Sequence, residues 1–386
     1  MIGKRDFIKG VATVGAMTAL PRAAFAETGV AADKITFGQA AVFEGPASAL
    51  GLGMRDGILA AFAEANAAAG VKGRKIELVT QDDGYEPAKS IEATKALLAQ
   101  GVFALVGPVG TPTSMAALPI VKEAGAPFIG PFTGTEALRN PYQPLVVNIR
   151  ASYFQETEVM VERLVKDKGA AKIAILYQDD AFGQAGLAGA RRAMDKRSMK
   201  LVAEASFERN TVAVRSALLE IRKAEPEAVI LIGPYKPCAE FIKLSRQIKF
   251  GPIFINISFV GSDALAHELG ANGDGVLVTQ VVPFPADASI PVVAAFHKAL
   301  KASKPDAQPG FVSLEGYIVG RTVIAALQKI DGEPTRAALM EKLSNGSYDL
   351  GGFTLNFGPN NNQGSNAVFL TAIGADGKFK PLTAIA

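Results

Sequence analysis

VFALVGPVGTPTS at residues 102–114 and APFIGPFTGT at residues 126–135 are two copies of one short pattern. Each is an apolar run, then Gly-Pro, then a cluster of small hydroxyl residues. An apolar run of that length broken by Gly-Pro predicts a buried strand that stops abruptly. The first copy leads into Met115-Ala116-Ala117-Leu118, a helix-forming stretch entered through Thr111, Pro112 and Thr113. A hydroxyl residue at the N-cap with proline at the first helical position is a common helix start. Two neighbouring strands would then bring backbone N–H groups and threonine hydroxyls to one place. That geometry suits a small anion such as a carboxylate. Two ordinary strand-to-helix turns would read the same way, and the residues alone leave both readings open.

The same rhythm extends along the chain. Strand-like runs at residues 35–42, 75–80, 103–106, 172–177, 201–207, 228–232 and 253–256 alternate with helical stretches at 47–69, 87–100, 182–196, 212–223 and 236–249. Alternation of this kind predicts parallel sheets with helices on both faces. LRNPYQPLVVNIRASY at residues 138–153 interrupts it with two prolines and a lone strand, and reads as a crossover. Val282-Pro283-Phe284-Pro285 is a second break, followed by helices at residues 290–301, 311–330 and 335–343. Residues 353–357 and 368–373 read as antiparallel strands around the polar turn Asn360-Asn361-Asn362. The expected fold is α/β, with two doubly wound parallel-sheet lobes joined by a multi-crossover hinge. One lobe takes residues 27–150 plus 283–357, the other 151–282 plus 358–386. Such lobes can hinge and close on a ligand.

Residues 1–26 have the layout of an export signal: Lys4 and Arg5, an apolar segment of 11 residues from Gly10 to Leu20, and the small-x-small site Ala24-Phe25-Ala26. GKRDFIK resembles the twin-arginine motif with lysine in the first position. Cleavage after Ala26 is expected, and with it a periplasmic location. The segment is too short to span a bilayer, no later run approaches spanning length, and no cysteine marks a lipid-anchor site. A soluble chain of about 360 residues is therefore expected, enough for two cores.

The signal also holds the chain's apparent basicity. Without Lys4, Arg5, Lys9, Arg22 and Asp6 the chain keeps 36 basic and 36 acidic residues. No basic stripe is interleaved with aromatics, so nucleic acid is not an expected partner. The single cysteine, Cys238, allows no internal disulfide.

Catalytic motifs are missing from the sequence: there is no Gly-x-Ser-x-Gly elbow, no phosphate loop and no paired-cysteine metal motif. His267 precedes Glu268 without a histidine three residues on, and His297 stands alone. Asp82-Asp83 and Asp179-Asp180 follow strands. They read as helix caps rather than an acid–base pair. No enzyme activity, cofactor or metal is expected.

EGPASALGLGMRDGILAAFAEAN, QDDGYEPAKS, LVGPVGTPTS, IGPFTGT, YQDDAFGQAG and GFVSLEGY follow one another behind the signal. In that order they resemble the leucine/isoleucine/valine-binding protein family, amino-acid receptors of ABC importers with the type I periplasmic-binding fold. The resemblance spans essentially the whole chain after the signal. It implies a two-lobed binder with three hinge crossovers that hands its ligand to a membrane permease, and a monomer is the default for a receptor that must open and close.

By the same resemblance, Thr111 stands where a serine usually holds the ligand carboxylate, and Thr133 stands at a backbone-donor position with Gly134 and Thr135 beside it. Pro112 lacks an N–H and removes one donor from that wall. Tyr235 matches a tyrosine that contacts the ligand's polar head. Phe182 and Phe311 match aromatic positions lining the side-chain pocket, and Leu50 stands where tyrosine is common. Ser258, in IFINISF, replaces the glutamate that neutralises the ligand ammonium in amino-acid members. A buried ammonium without a carboxylate partner costs several kcal/mol. The expected ligand is a small carboxylate-bearing molecule, an amino acid or related organic acid. The serine raises the alternative of one without an α-ammonium, a short aliphatic, keto or aromatic acid, unless Asp83, Glu315 or another acid takes the glutamate's place. A ligand-sensing regulatory module on the same fold and an exported α/β enzyme are the alternatives of other classes.

Overall fold

Buried five- and six-residue apolar runs demand cover on both faces, and the computed structural model, which describes residues 27–385, provides it. The export signal read at residues 1–26 lies outside the described residues. The first half runs β1 (Lys34–Ala41), α1 (Ser48–Ala67), β2 (Lys75–Asp82), α2 (Pro87–Ala99), β3 (Leu105–Val106), α3 (Thr111–Glu123), β4 (Phe128–Ile129) and β5 (Val146–Val147). Then come α4 (Tyr153–Lys168), β6 (Ile173–Gln178), α5 (Ala181–Asp195), β7 (Ala203–Phe207), α6 (Arg215–Lys223), β8 (Ala228–Ile232), α7 (Tyr235–Gln247), β9 (Ile253–Asn256), α8 (Ser262–Leu269) and β10 (Leu277–Gln280). The chain closes with α9 (Pro291–Ser303), α10 (Phe311–Gln328), α11 (Arg336–Ser344), β11 (Ser347–Asp349), β12 (Thr354–Asn356), β13 (Phe369–Ile373) and β14 (Phe379–Leu382).

Two sheets result. The first has the order β2-β1-β3-β4-β5 and is parallel throughout. The second has the order β14-β13-β10-β9-β8-β6-β7, parallel except for the antiparallel β13 and β14. In its middle β8 (AVILI) is buried at every position, which a strand covered on both faces requires.

After β10 the chain returns to the first lobe, where α9 and α10 pack on α1. Glycines let α1 and α10 touch: a Cβ on Gly57 would lie 1.9 Å from the Ser313 carbonyl, and one on Gly316 2.3 Å from the Met54 carbonyl. Cys238 is fully buried on α7, and burial raises its thiol well above the ordinary range. Among the described residues no helix is long and apolar enough to cross a membrane.

The closing segment differs from the expected hairpin. β12 pairs with β11, Tyr348 opposite Leu355, while β13 lies between β10 and β14. The asparagine run between them is a crossover pinned to the linker before α4. Asn148 N–H donates to the Asn362 carbonyl at 2.7 Å, Gly364 N–H donates to the Asn148 carbonyl at 2.8 Å, and Asn362 Nδ2 donates to the Leu138 carbonyl at 2.9 Å. With its backbone committed to that linker, the run cannot turn β12 back onto β13.

Candidate functional site

The two Gly-Pro loops lie side by side because β3 and β4 pair in register, Leu105 with Phe128 and Val106 with Ile129. The pairing continues as a bridge between Val109 and Phe132. Gly107 and Gly130 turn out of their strands at φ 60° and 63°, a backbone region open mainly to glycine. The helix start differs from the expected threonine cap. The N-cap of α3 is Gly110 at φ 104°, where a Cβ would lie 2.4 Å from the Tyr85 ring, and Thr111 is already helical. Pro112 follows within the first turn, where a missing N–H costs nothing.

The loops bring Thr111 and Thr133 together. Their hydroxyls are 2.6 Å apart and both residues are buried. Thr135 N–H donates to Thr133 Oγ1 at 3.2 Å, and Thr135's own hydroxyl caps the next short turn. Thr113 faces away, donating to the Val109 carbonyl at 2.5 Å. Behind the second loop Arg139 holds its carbonyls, donating to Thr135 O at 2.7 Å and to Arg150 O at 3.1 Å.

The second lobe closes over this wall. Tyr235 Oη accepts the Ala49 N–H at the start of α1, at 3.4 Å, and Leu50 packs against Gly261. Phe182 lies 4.4 Å, centroid to centroid, from Phe259, which reaches Phe132 at 5.2 Å and Tyr85 at 6.1 Å. Tyr153 stands 5.4 Å from Phe182 and packs on Gly134, where a Cβ would meet its ring. The structure thus gathers Leu50, Thr111, Thr133, Gly134, Thr135, Phe182 and Tyr235 around one interlobe seam. Phe311 is not among them. It packs with Phe284 and Phe379 on a separate groove of about 570 Å³ that includes Asp263 and His267.

Ser258 sits at the centre of a buried ionic cluster. Its Oγ accepts from Arg150 Nη2 and donates to Glu156 Oε1 at 2.9 Å, and its N–H donates to Glu156 Oε2 at 3.0 Å. Thr279 Oγ1 donates to the same carboxylate at 2.6 Å. Arg150 lies over the Phe132 ring at 4.6 Å, with Nε 3.4 Å from Glu315 Oε1. Burial opposes the guanidinium's charge, but Glu315 and Glu156 outweigh it and raise its pKa. Burial pushes Glu315 up to about 7 against the pull of Arg150.

Tyr85, Phe132, Arg150, Tyr153, Glu156 and Phe259 are the site residues that sequence reasoning missed. Phe132 stood inside the quoted loop, and Arg150 inside the crossover. A basic residue in an apolar linker was the available signal.

The two acidic pairs divide. Asp180 caps α5, accepting the Phe182 N–H at 2.9 Å. Asp82 instead accepts the Phe43 N–H at 2.6 Å and ties down the end of β1, and α2 has no side-chain cap. Asp83 Oδ1 accepts the Tyr85 N–H at 2.9 Å, while its buried Oδ2 has no partner. Burial, with smaller contributions from Asp82 and Glu86, pushes this carboxyl up to about 7.

An acid whose pKa is raised by folding holds its proton longer in the folded state, so its contribution to stability falls as pH rises from about 4 to about 7. Asp83→Asn keeps the acceptor for Tyr85 and removes the ionisation. It should leave stability near that of the parent at pH 4 and exceed it at pH 8, read as denaturation midpoints at the two pH values. Parallel pH profiles for the two proteins would refute the assignment.

A family model described as periplasmic binding protein matches residues 34–378. A Leu/Ile/Val-binding protein homolog 7 from Brucella suis is 25% identical over 366 residues, covering 89% of this chain and 90% of the relative. The crystal structure of a possible leucine/isoleucine/valine-binding protein from Rhodopirellula baltica superposes with a TM-score of 0.87 at 39% identity, covering 91% of this chain and 97% of that one. The fold is shared as well with the branched-chain amino acid transporter substrate binding protein LivJ from Streptococcus pneumoniae, solved with isoleucine. There the TM-score is 0.78 at 18% identity, over 91% of this chain and 99% of that one. The chain belongs to the periplasmic binding protein family and resembles its leucine/isoleucine/valine-binding members.

Proposed function

We propose that the chain is an exported, monomeric receptor of an ABC importer that binds a small carboxylate ligand lacking an α-ammonium between its lobes and delivers it to a membrane permease. Export by the signal at residues 1–26, with cleavage after Ala26, is part of the reading. So is a hinge at the crossovers near residues 150, 283 and 358, dividing 27–150 plus 283–357 from 151–282 plus 358–386. No catalytic step, cofactor or metal enters it.

One observation carries the ligand class. Where the resemblance places a glutamate for the ligand ammonium, Ser258 is held between Arg150, which donates to it, and Glu156, to which it donates. An ammonium delivered there would meet the Arg150 guanidinium, while the Glu156 carboxylate beside it is already bonded by the Ser258 N–H and hydroxyl and by the Thr279 hydroxyl. The other acids already have neighbours of their own. Glu315 faces Arg150, and Asp83 lies in the turn behind Tyr85. The paired hydroxyls of Thr111 and Thr133 supply the carboxylate end.

Calorimetric titration tests the reading: 4-methyl-2-oxopentanoate or benzoate should bind with 1:1 stoichiometry, and leucine weakly. Thr111→Ala should weaken binding of the acid by about 1–3 kcal/mol through loss of a hydrogen bond to a charged group. Nanomolar leucine binding would overturn the ligand class, and unchanged affinity in the variant would move the clamp.

A further inference from the structure

We propose that Arg150 and Tyr153, beside the Thr111–Thr133 hydroxyl pair, complete the anchor of the ligand's anionic head and that the ligand's body is an aromatic ring, making the site a receptor for an arene carboxylate. This rests on the reading of the interlobe seam as a carboxylate site and names the substrate class within it.

The anchor is visible as unmet donors. Arg150 is 1% exposed, and of its five N–H groups the only hydrogen bond made among the described residues is the one to Ser258. Its Nε and Nη1 are buried without a hydrogen-bond partner, although Glu315 lies 3.4 Å from Nε. Tyr153 Oη is likewise buried without a well-formed hydrogen bond, near Thr133 and the Gly134 N–H. Buried donors left unpaired are costly, and those of a guanidinium most of all. A carboxylate presents two oxygens in the plane that a guanidinium's N–H groups address, and the phenol adds a third donor. The counter-charges do not cancel this demand. Glu156 is already taken by Ser258 and Thr279, and Glu315 is part-neutralised near pH 7 by its burial.

The body follows from what surrounds the anchor. Phe132 lies under the guanidinium, and Phe259 joins it to Tyr85 from the same lobe and to Phe182 from the other, with Tyr153 against Phe182 in turn. Both lobes therefore present ring faces and edges to one seam. A flat ring entering there gains offset and edge contacts that a branched aliphatic group of equal area does not. Phe259 sits on a single 3-10 turn at Ser258–Val260, followed by Gly261 at φ 79°. The proposed ring position is where this turn meets Phe132 beside Arg150, reached when the lobes open.

The test is calorimetry on the chain from residue 27 onward with benzoate, phenylacetate, benzamide, 4-methyl-2-oxopentanoate and leucine. The arene carboxylates should bind, the neutral isostere benzamide roughly 100-fold more weakly, and the aliphatic keto acid about 10-fold more weakly. Tyr153→Phe removes only a hydroxyl whose neighbours in the protein are Thr133 and the Gly134 N–H. It should keep the parent's melting temperature and lose about 10-fold in benzoate affinity.

Arg150→Met alone strands two carboxyl groups, so the informative variant is Arg150→Met with Glu315→Gln, which removes cation and counter-ion together. In it the preference for benzoate over benzamide should fall to within about fivefold, a change that a structural role alone would not produce. Tighter binding of aliphatic than of arene acids, or benzoate affinity within twofold of the parent in both variants, would overturn the inference while leaving the receptor reading intact. If no acid of either kind binds, the receptor reading itself fails and the inference falls with it.

Discussion

Glu156→Ala is expected to remove about 3–5 kcal/mol of stability, because truncating one partner of a buried ion pair leaves the other charge uncompensated. Glu156 is fully buried on α4 and takes three hydrogen bonds, from the Ser258 N–H and hydroxyl and from the Thr279 hydroxyl, with Arg150 3.9 Å away. Alanine leaves those three donors without the carboxylate and strips the guanidinium of one of its two counter-charges, Glu315 remaining, and the β9–α8 turn loses its tie to α4. Glu156→Gln keeps the shape and one carbonyl oxygen, so it should lose less, about 1–3 kcal/mol. Melting temperatures of the purified variants measure both, with a drop on the order of 10 °C for alanine. Two variants that melt within a degree of the parent would mean that the cluster is not the tie between α4 and the second sheet.

Gly57→Ala should destabilise the first lobe by up to about 2 kcal/mol, although alanine is the better helix former. Two effects oppose each other. Alanine gains about 1 kcal/mol of helix propensity over glycine. Against this, the new Cβ would stand 1.9 Å from the Ser313 carbonyl and 2.5 Å from the Tyr317 nitrogen, both backbone atoms of α10. Neither can move aside alone, so α1 and α10 must separate along a seam that Gly316 and Gly320 also hold close. Overpacking at a rigid contact costs about 1–3 kcal/mol and sometimes more, so the clash wins. Urea denaturation decides the sign. A more stable variant would show that the two helices can spread without loss.

How much of this was legible depended on how local each cause is. β8 and β9 were read at their observed limits, Ala228–Ile232 and Ile253–Asn256, because a short apolar run between polar turns is a local signal. The start of α3 was misread by one position, since the signal favoured a hydroxyl cap while Gly110 does the turning at φ 104°. β13 was recognised as a strand but given the wrong partner. Its neighbour β10 lies far back in the chain, and nothing in the Asn360-Asn361-Asn362 run announces that its backbone is bound to Asn148.

The site shows the same division. Thr111 and Thr133 were legible because their two loops follow adjacent strands. Arg150 was not, because its meaning arises where the linker, α4, the Ser258 turn and α10 meet. Phe311 was assigned to the pocket by resemblance. As the first residue of α10, it packs on Phe284 and Phe379 instead.

Cys238 gives this chain a reporter of its own motions. It is the one thiol in the sequence, fully buried on α7, with its sulfur near Gly233 at the end of β8. A thiol reagent can reach it only when α7 lifts from the sheet, so the labelling rate reads the free energy of that local opening. Labelling with and without ligand would then compare how strongly the bound state locks the second lobe, with no engineered probe and no competing thiol.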